Sequence, residues 1–77
     1  MAKCNGHKNW NHWNVSLWIN NDEGLYNVAR YFVRSAATRE IAAKRMLEHL
    51  KTEAGTTHTP DGAPYSVSSI RAAMVDM

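Results

Sequence analysis

A single cysteine, Cys4, leaves the chain without an internal disulfide, so its core is held by packing and hydrogen bonds, which suits a reducing compartment. No stretch approaches the roughly 18 unbroken apolar residues of a membrane-spanning helix. The opening MAKCNGHKNWNHW also lacks the apolar segment of a secretory signal. Acidic residues number only seven and are scattered, which excludes a protein that imitates DNA by a dense negative surface. No glycine-rich phosphate loop and no nucleophile elbow is present, and no nucleophile, base and orienting acid assemble, so the chain does not read as an enzyme. What remains is 77 residues, 44 % apolar and 21 % charged, the composition of an ordinary globular chain. That length supports one domain over residues 1–77 with a small core, because a chain of this size buries only about 60 % of its unfolded surface.

Breaker signals at Asn20–Gly24, Ser35–Thr38 and Gly55–Pro64 divide the sequence into four periodic segments. Leu25, Val28, Ala29, Phe32 and Ala36 share one helical face and place Phe32 at the centre of the core. Ahead of them, Asn20 and Glu23 have the offset of a capping box, and Asp22 and Glu23 suit the positive end of the helix dipole. Thr38 can cap the next helix, whose apolar face is Ala43, Met46, Leu47, Leu50 and Ala54 and which stops at Gly55. Thr59-Pro60-Asp61-Gly62 reads as a turn within a loop over residues 55–65. Ser66 then caps a helix bearing Val67, Ile70, Met74 and Met77 that runs to the end of the chain. The first segment is ambiguous, since Trp13, Val15, Leu17 and Ile19 also alternate as a strand would. A helix from about Asn9 to Ile19 is preferred because it gathers Trp10, Trp13 and Trp18 on one face as core and leaves no lone strand unpaired. Asn14 shares that face, so its amide should be hydrogen-bonded inside. The predicted fold class is therefore all-α, a compact single domain of about four short helices with residues 1–8 flexible.

Cys4, His7 and His12 lie close in sequence, and His49 or His58 could join them as metal ligands. The C-x2-H-x4-H spacing is not that of a zinc site, so no metal and no cofactor is expected. The net charge is only +2, leaving few phosphates to neutralise and predicting weak direct nucleic-acid binding. Most of that charge is concentrated. Arg30, Arg34, Arg39, Lys44, Arg45 and Lys51 face only Glu40 and Glu48, a local balance of +4. Arg30 and Arg34 lie four residues apart opposite the Leu25 stripe, where their repulsion costs an isolated helix about 0.2–0.5 kcal/mol. A solvated basic face and a partner-binding surface both fit this arrangement. Tyr26, Tyr31 and Tyr65 are expected at the surface, and tyrosine is frequent at interfaces. Ile41 falls outside the apolar stripe of its helix, either against a neighbouring loop or as an exposed contact. The candidate partner-binding set is Arg30, Arg34, Lys44, Arg45, Tyr26, Tyr31 and Ile41.

The run HKNWNHWNVSLWINNDEGLY over residues 7–26, with THTPDGAPYS over residues 57–66, resembles a family of small phage- and prophage-encoded proteins rich in tryptophan and asparagine ahead of an NDEGLY-like box. The resemblance covers most of the chain. It implies action in the cytoplasm of a bacterial host, and some small proteins of such phages are anti-CRISPR inhibitors. The expectation drawn from it is an anti-CRISPR protein that binds a type I effector complex (Cascade) through a Cas subunit and keeps target DNA from the surface where the protospacer-adjacent motif is read. The resemblance supplies no catalytic residue: Trp13, Asn14, Asp22, Glu23, Gly24 and Tyr26 read as core, cap and turn. The alternatives are a helical nucleic-acid-binding module using the Arg30–Lys51 surface, and a structural component of the virion.

Overall fold

The computed structural model describes residues 9–77; the segment expected to be flexible, residues 1–8 with Cys4 and His7, lies outside the described residues. Helix α1 spans Trp10–Asn21, α2 Glu23–Ser35, α3 Arg39–Thr52 and α4 Val67–Ala73. The architecture is all-α, as the periodicity predicts. Among the described residues, extended pairing is limited to one antiparallel bridge between His58 and Pro64.

Every helix starts at a side-chain oxygen that accepts from the backbone N–H three residues on. Asn9 accepts from His12 at 3.0 Å, Asp22 from Leu25 at 3.0 Å, Thr38 from Ile41 at 3.1 Å and Ser66 from Ser69 at 3.1 Å. Each bond satisfies one of the donors that a helix start leaves without an internal partner. Thr38 and Ser66 are the caps expected, and Ser69 returns a bond to the Ser66 N–H at 3.0 Å to close a capping box. The start of α2 differs from expectation, for Asn20 is not its cap. Helix α1 continues through Asn20 and Asn21, whose amides donate to the carbonyls of Ser16 and Leu17 at 2.9 and 2.8 Å. Asp22 alone joins the two helices: its N–H donates to the Trp18 carbonyl at 2.9 Å while its carboxylate caps α2. Gly24 keeps that cap clear, since a Cβ there would lie 3.3 Å from the capping oxygen.

The other ends are also set locally. Helix α3 stops at Thr52, and Gly55, at φ 63°, turns the chain so that the Thr56 N–H reaches the Leu50 carbonyl at 3.0 Å. Only glycine adopts that left-handed conformation without steric cost. Helix α4 ends at Ala73, short of the C-terminus expected for it. Residues 74–77 instead turn back through short-range bonds such as Met77 N–H to the Met74 carbonyl at 3.0 Å, which tucks Met74 fully inside.

Packing closes a ring in which α1 touches α2 and α4, and α3 touches α2 and α4. The centre holds Val15 and Ile19 from α1, Ala29 from α2, Ala42, Ala43, Met46 and Leu50 from α3, and Ile70 and Met74 from the C-terminal segment. Burying each of the larger aliphatic side chains contributes about 1.5–3 kcal/mol. Three expectations fail here. The tryptophans are not the core face of α1: Trp10 is 41 % exposed and Leu17 38 %, Trp13 and Trp18 are half-buried, and Val15 and Ile19 point inward instead. Phe32 is half-buried at the rim, edge-on to His49 at 5.8 Å, because α2 meets the core through the small Ala29. Tyr65 is inside rather than at the surface, and burial, aided by the Asp22 carboxylate, pushes its phenol above the ordinary value of 10.0.

The loop over 55–65 is pinned to α1 by side chains. The predicted turn forms, with the Gly62 N–H donating to the Thr59 carbonyl at 2.8 Å and Gly62 at φ 96°. Asn14, buried as expected, donates to the Asp61 carboxylate at 2.9 Å and accepts from the Thr59 hydroxyl at 2.6 Å. The Trp18 indole N–H donates to the same carboxylate oxygen at 2.9 Å. These donors hold the Asp61 carboxyl below its ordinary value of 3.8, Asn14 first and Trp18 second. A depressed folded-state value contributes stability that is complete above the unfolded value and is lost as pH falls through the folded one. Thermal unfolding of wild type and Asp61→Asn should therefore converge as pH is lowered below 3.8. A gap between them that stays constant through that range would show that the carboxylate is not the group held.

Candidate functional site

The outer face of α2 collects the aromatic and cationic side chains singled out in the sequence. Because Leu25, Val28 and Phe32 turn toward the core, the residues about half a turn away face solvent. Tyr26, Asn27, Arg30, Tyr31, Arg34 and Ser35 line an open cleft of about 430 Å³ on that side. The Arg30 guanidinium sits 5.8 Å from the centre of the Tyr26 ring, and its Nη1 donates to the Tyr26 hydroxyl at 3.5 Å. This placement holds the cation over the negative face of the ring. Tyr31 is 66 % exposed and stands edge-on to Phe32 at 5.3 Å, which anchors its base while the hydroxyl end projects. Arg34 is exposed.

Charge balance distinguishes this face from the rest of the basic segment. The ion pair among the described residues is Lys44–Glu40, at 3.6 Å and on the surface, where such pairs contribute at most about 1 kcal/mol. Neither Arg30 nor Arg34 has a carboxylate of the described residues within ion-pair distance. Exposed Tyr31 and Arg34 therefore stand beside the half-buried Arg30–Tyr26 pair, and the guanidiniums keep hydrogen-bonding capacity for acidic or phosphate groups.

The structure divides the candidate set into two. Tyr26, Arg30, Tyr31 and Arg34 share the α2 cleft. Lys44, Arg45 and Ile41 lie on the outer side of α3, do not line that cleft, and Ile41 is 37 % exposed. Sequence reasoning missed two other surfaces. One is the uncharged strip of Trp10 and Leu17 on α1, read as core because hydrophobicity alone does not show which way a helix is rotated. The other is a groove between α1, α3 and α4 where His12, Arg39, Ser68 and Arg71 meet, and residues so distant in sequence leave no local signal.

No group of three or more metal-binding side chains occurs among the described residues. The described histidines diverge: His12 bonds Ser68, His49 packs on Phe32 and His58 bonds Thr57. No described helix is long and apolar enough to cross a membrane. Comparison with curated proteins and with solved structures gives no match. One family matches residues 1–77, the full length of the sequence, and the chain belongs to it: the family of unknown function DUF7249.

Proposed function

We propose that the protein acts by binding rather than by catalysis, docking the outer face of α2 on an acidic surface of a protein partner. The observation that carries this reading is the pair of arginines, Arg30 and Arg34, which have no carboxylate of the described residues within ion-pair distance and share a cleft with Tyr26 and Tyr31. Tyrosine and arginine are the residue types that concentrate binding energy at interfaces. Their mutual repulsion on α2 is relieved when acidic groups of a partner meet them. The sequence resemblance extends the proposal to a partner: a Cas subunit of a type I effector complex, with the inhibitor anchored through this face on an acidic patch bordering the surface that target DNA must cross, so that its bulk covers that surface. A complex that grips nucleic acid by shape and motif must expose a surface for first contact, and a small domain occupying it stops the process before base pairing.

A second reading, direct contact of this face with nucleic-acid phosphates, draws on the same guanidiniums, which meet no carboxylate of the described residues, and on rings able to stack with bases. The two are separated by pairing size-exclusion co-migration with a purified type I complex and a gel-shift titration of free duplex DNA. The expected result is co-migration, loss of target-DNA binding by the complex, and little affinity for free duplex at physiological salt, since a charge of +2 supports few phosphate contacts. Tight, salt-sensitive binding of free DNA with no capture of any Cas subunit would replace inhibition with the nucleic-acid reading.

A further inference from the structure

We propose that the groove between α1, α3 and α4 is a separate binding site for a phosphoryl group. It measures about 670 Å³, and its polar lining comes from three helices: His12, Arg39 with Glu40, and Ser68 with Arg71. None of these residues belongs to the α2 face, so the site stands independently of the function proposed above.

The cations are held for a ligand rather than for each other's neighbours. Arg39 donates through Nε to the Met74 carbonyl at 2.8 Å. That bond fixes the plane of the guanidinium and leaves its two terminal nitrogens to form a fork, the geometry that matches two oxygens of a phosphate. Arg71 has no ion pair among the described residues. The groove's one carboxylate, Glu40, is drawn toward Lys44 at 3.6 Å on the outer side of α3, which lowers its opposition to an anion. Two guanidiniums against one engaged carboxylate give the groove a positive field.

A hydrogen-bonding pair from α4 and α1 completes the wall. Ser68 Oγ and His12 Nε2 are 2.9 Å apart, bridging α4 and α1. With the His12 Nε2 proton donated to Ser68 Oγ, the serine's own hydroxyl hydrogen is left for an oxyanion as a further donor beside the arginine forks. A carboxylate ligand has only two oxygens to satisfy donors converging from three helices, whereas a phosphoryl group has three or more.

The test is a titration of isotopically labelled protein with inorganic phosphate, followed by amide and side-chain chemical shifts, with chloride at matched ionic strength as control. A short single-stranded oligonucleotide is titrated in parallel. Saturable shifts at Arg39, Ser68 and Arg71 with phosphate are expected, and Arg71→Gln should weaken them at least tenfold without moving the thermal midpoint. Arg71 is the residue of choice because it is exposed, whereas Arg39 also ties down the C-terminal turn. Arg30→Glu with Arg34→Glu should leave the response intact. Saturation by the oligonucleotide alone would support the site with a backbone phosphodiester as its source. No saturable response to either probe, shifts equal to those with chloride, or an unchanged response in Arg71→Gln would overturn the proposal.

Discussion

Leu50→Ala is expected to cost about 2–5 kcal/mol, the range for removing a large aliphatic side chain from a site that does not collapse. Leu50 is 1 % exposed in the last turns of α3, beside the point where the chain turns at Gly55 and its own carbonyl accepts from Thr56. A 77-residue chain has a total stability of only about 4–12 kcal/mol, so this loss removes a large share of it. Phe32→Ala makes the contrast. The apolar spacing places Phe32 at the centre, with an expected loss of about 3–5 kcal/mol for a buried aromatic. Its half-buried position at the rim lowers the expected cost below that of Leu50→Ala. Urea unfolding of both variants measures the order. A larger loss for Phe32→Ala would mean that α2 enters the core more deeply than its single buried alanine indicates.

Asn14→Ala is expected to cost about 2–3 kcal/mol although it removes only one small polar side chain. The Thr59 hydroxyl, 4 % exposed as part of its residue, loses its acceptor, and Asp61 loses one of its two side-chain donors. A buried polar group left without a partner costs about 1–3 kcal/mol, more than the bond itself contributes. The loss should be accompanied by faster amide exchange at Ala63, whose N–H bonds the Thr59 hydroxyl at 3.0 Å, because Thr59 links α1 to the loop. Asn14→Ala that matched wild type in both stability and exchange would show that the loop is held by its own turn.

Helices α2, α3 and α4 were legible because their signals are local, whereas α1, whose alternation also fits a strand, is a helix in the sequence only because no second strand is there to pair with it. Thr38 and Ser66 announce helix starts, Gly55 a stop, and the Leu25–Phe32 spacing a packed face. The rotation of α1 was not legible, because it is decided over distance. Trp10, Trp13 and Leu17 form a helical stripe that looks like core, yet Asn14 bonds a loop 45 and 47 residues away, and that anchor turns Val15 and Ile19 inward. The cap of α2 is hidden from the sequence for a related reason. A run of asparagines suggests a loop, but each asparagine amide of the pair bonds the carbonyl four residues back, so α1 continues until Asp22. On the candidate surface, the grouping of Tyr26, Arg30 and Arg34 follows from helical spacing and could be read in advance. That Lys44 is occupied by Glu40 follows from their spacing as well, whereas the separation of α3's outer side from the α2 cleft depends on how two helices pack.

The claim that most needs testing is that α2 presents its outward arginines and tyrosines to a protein. The most direct measurement is the affinity of a type I effector complex for wild type and for the Arg30→Glu, Arg34→Glu variant, with thermal unfolding of both recorded alongside. Both side chains lie away from the Leu25, Val28 and Phe32 stripe, so the variant should unfold at the wild-type midpoint while binding at least 100-fold more weakly, a loss of about 2.8 kcal/mol. Undiminished binding by a fully folded variant would contradict the assignment of the interface to this face.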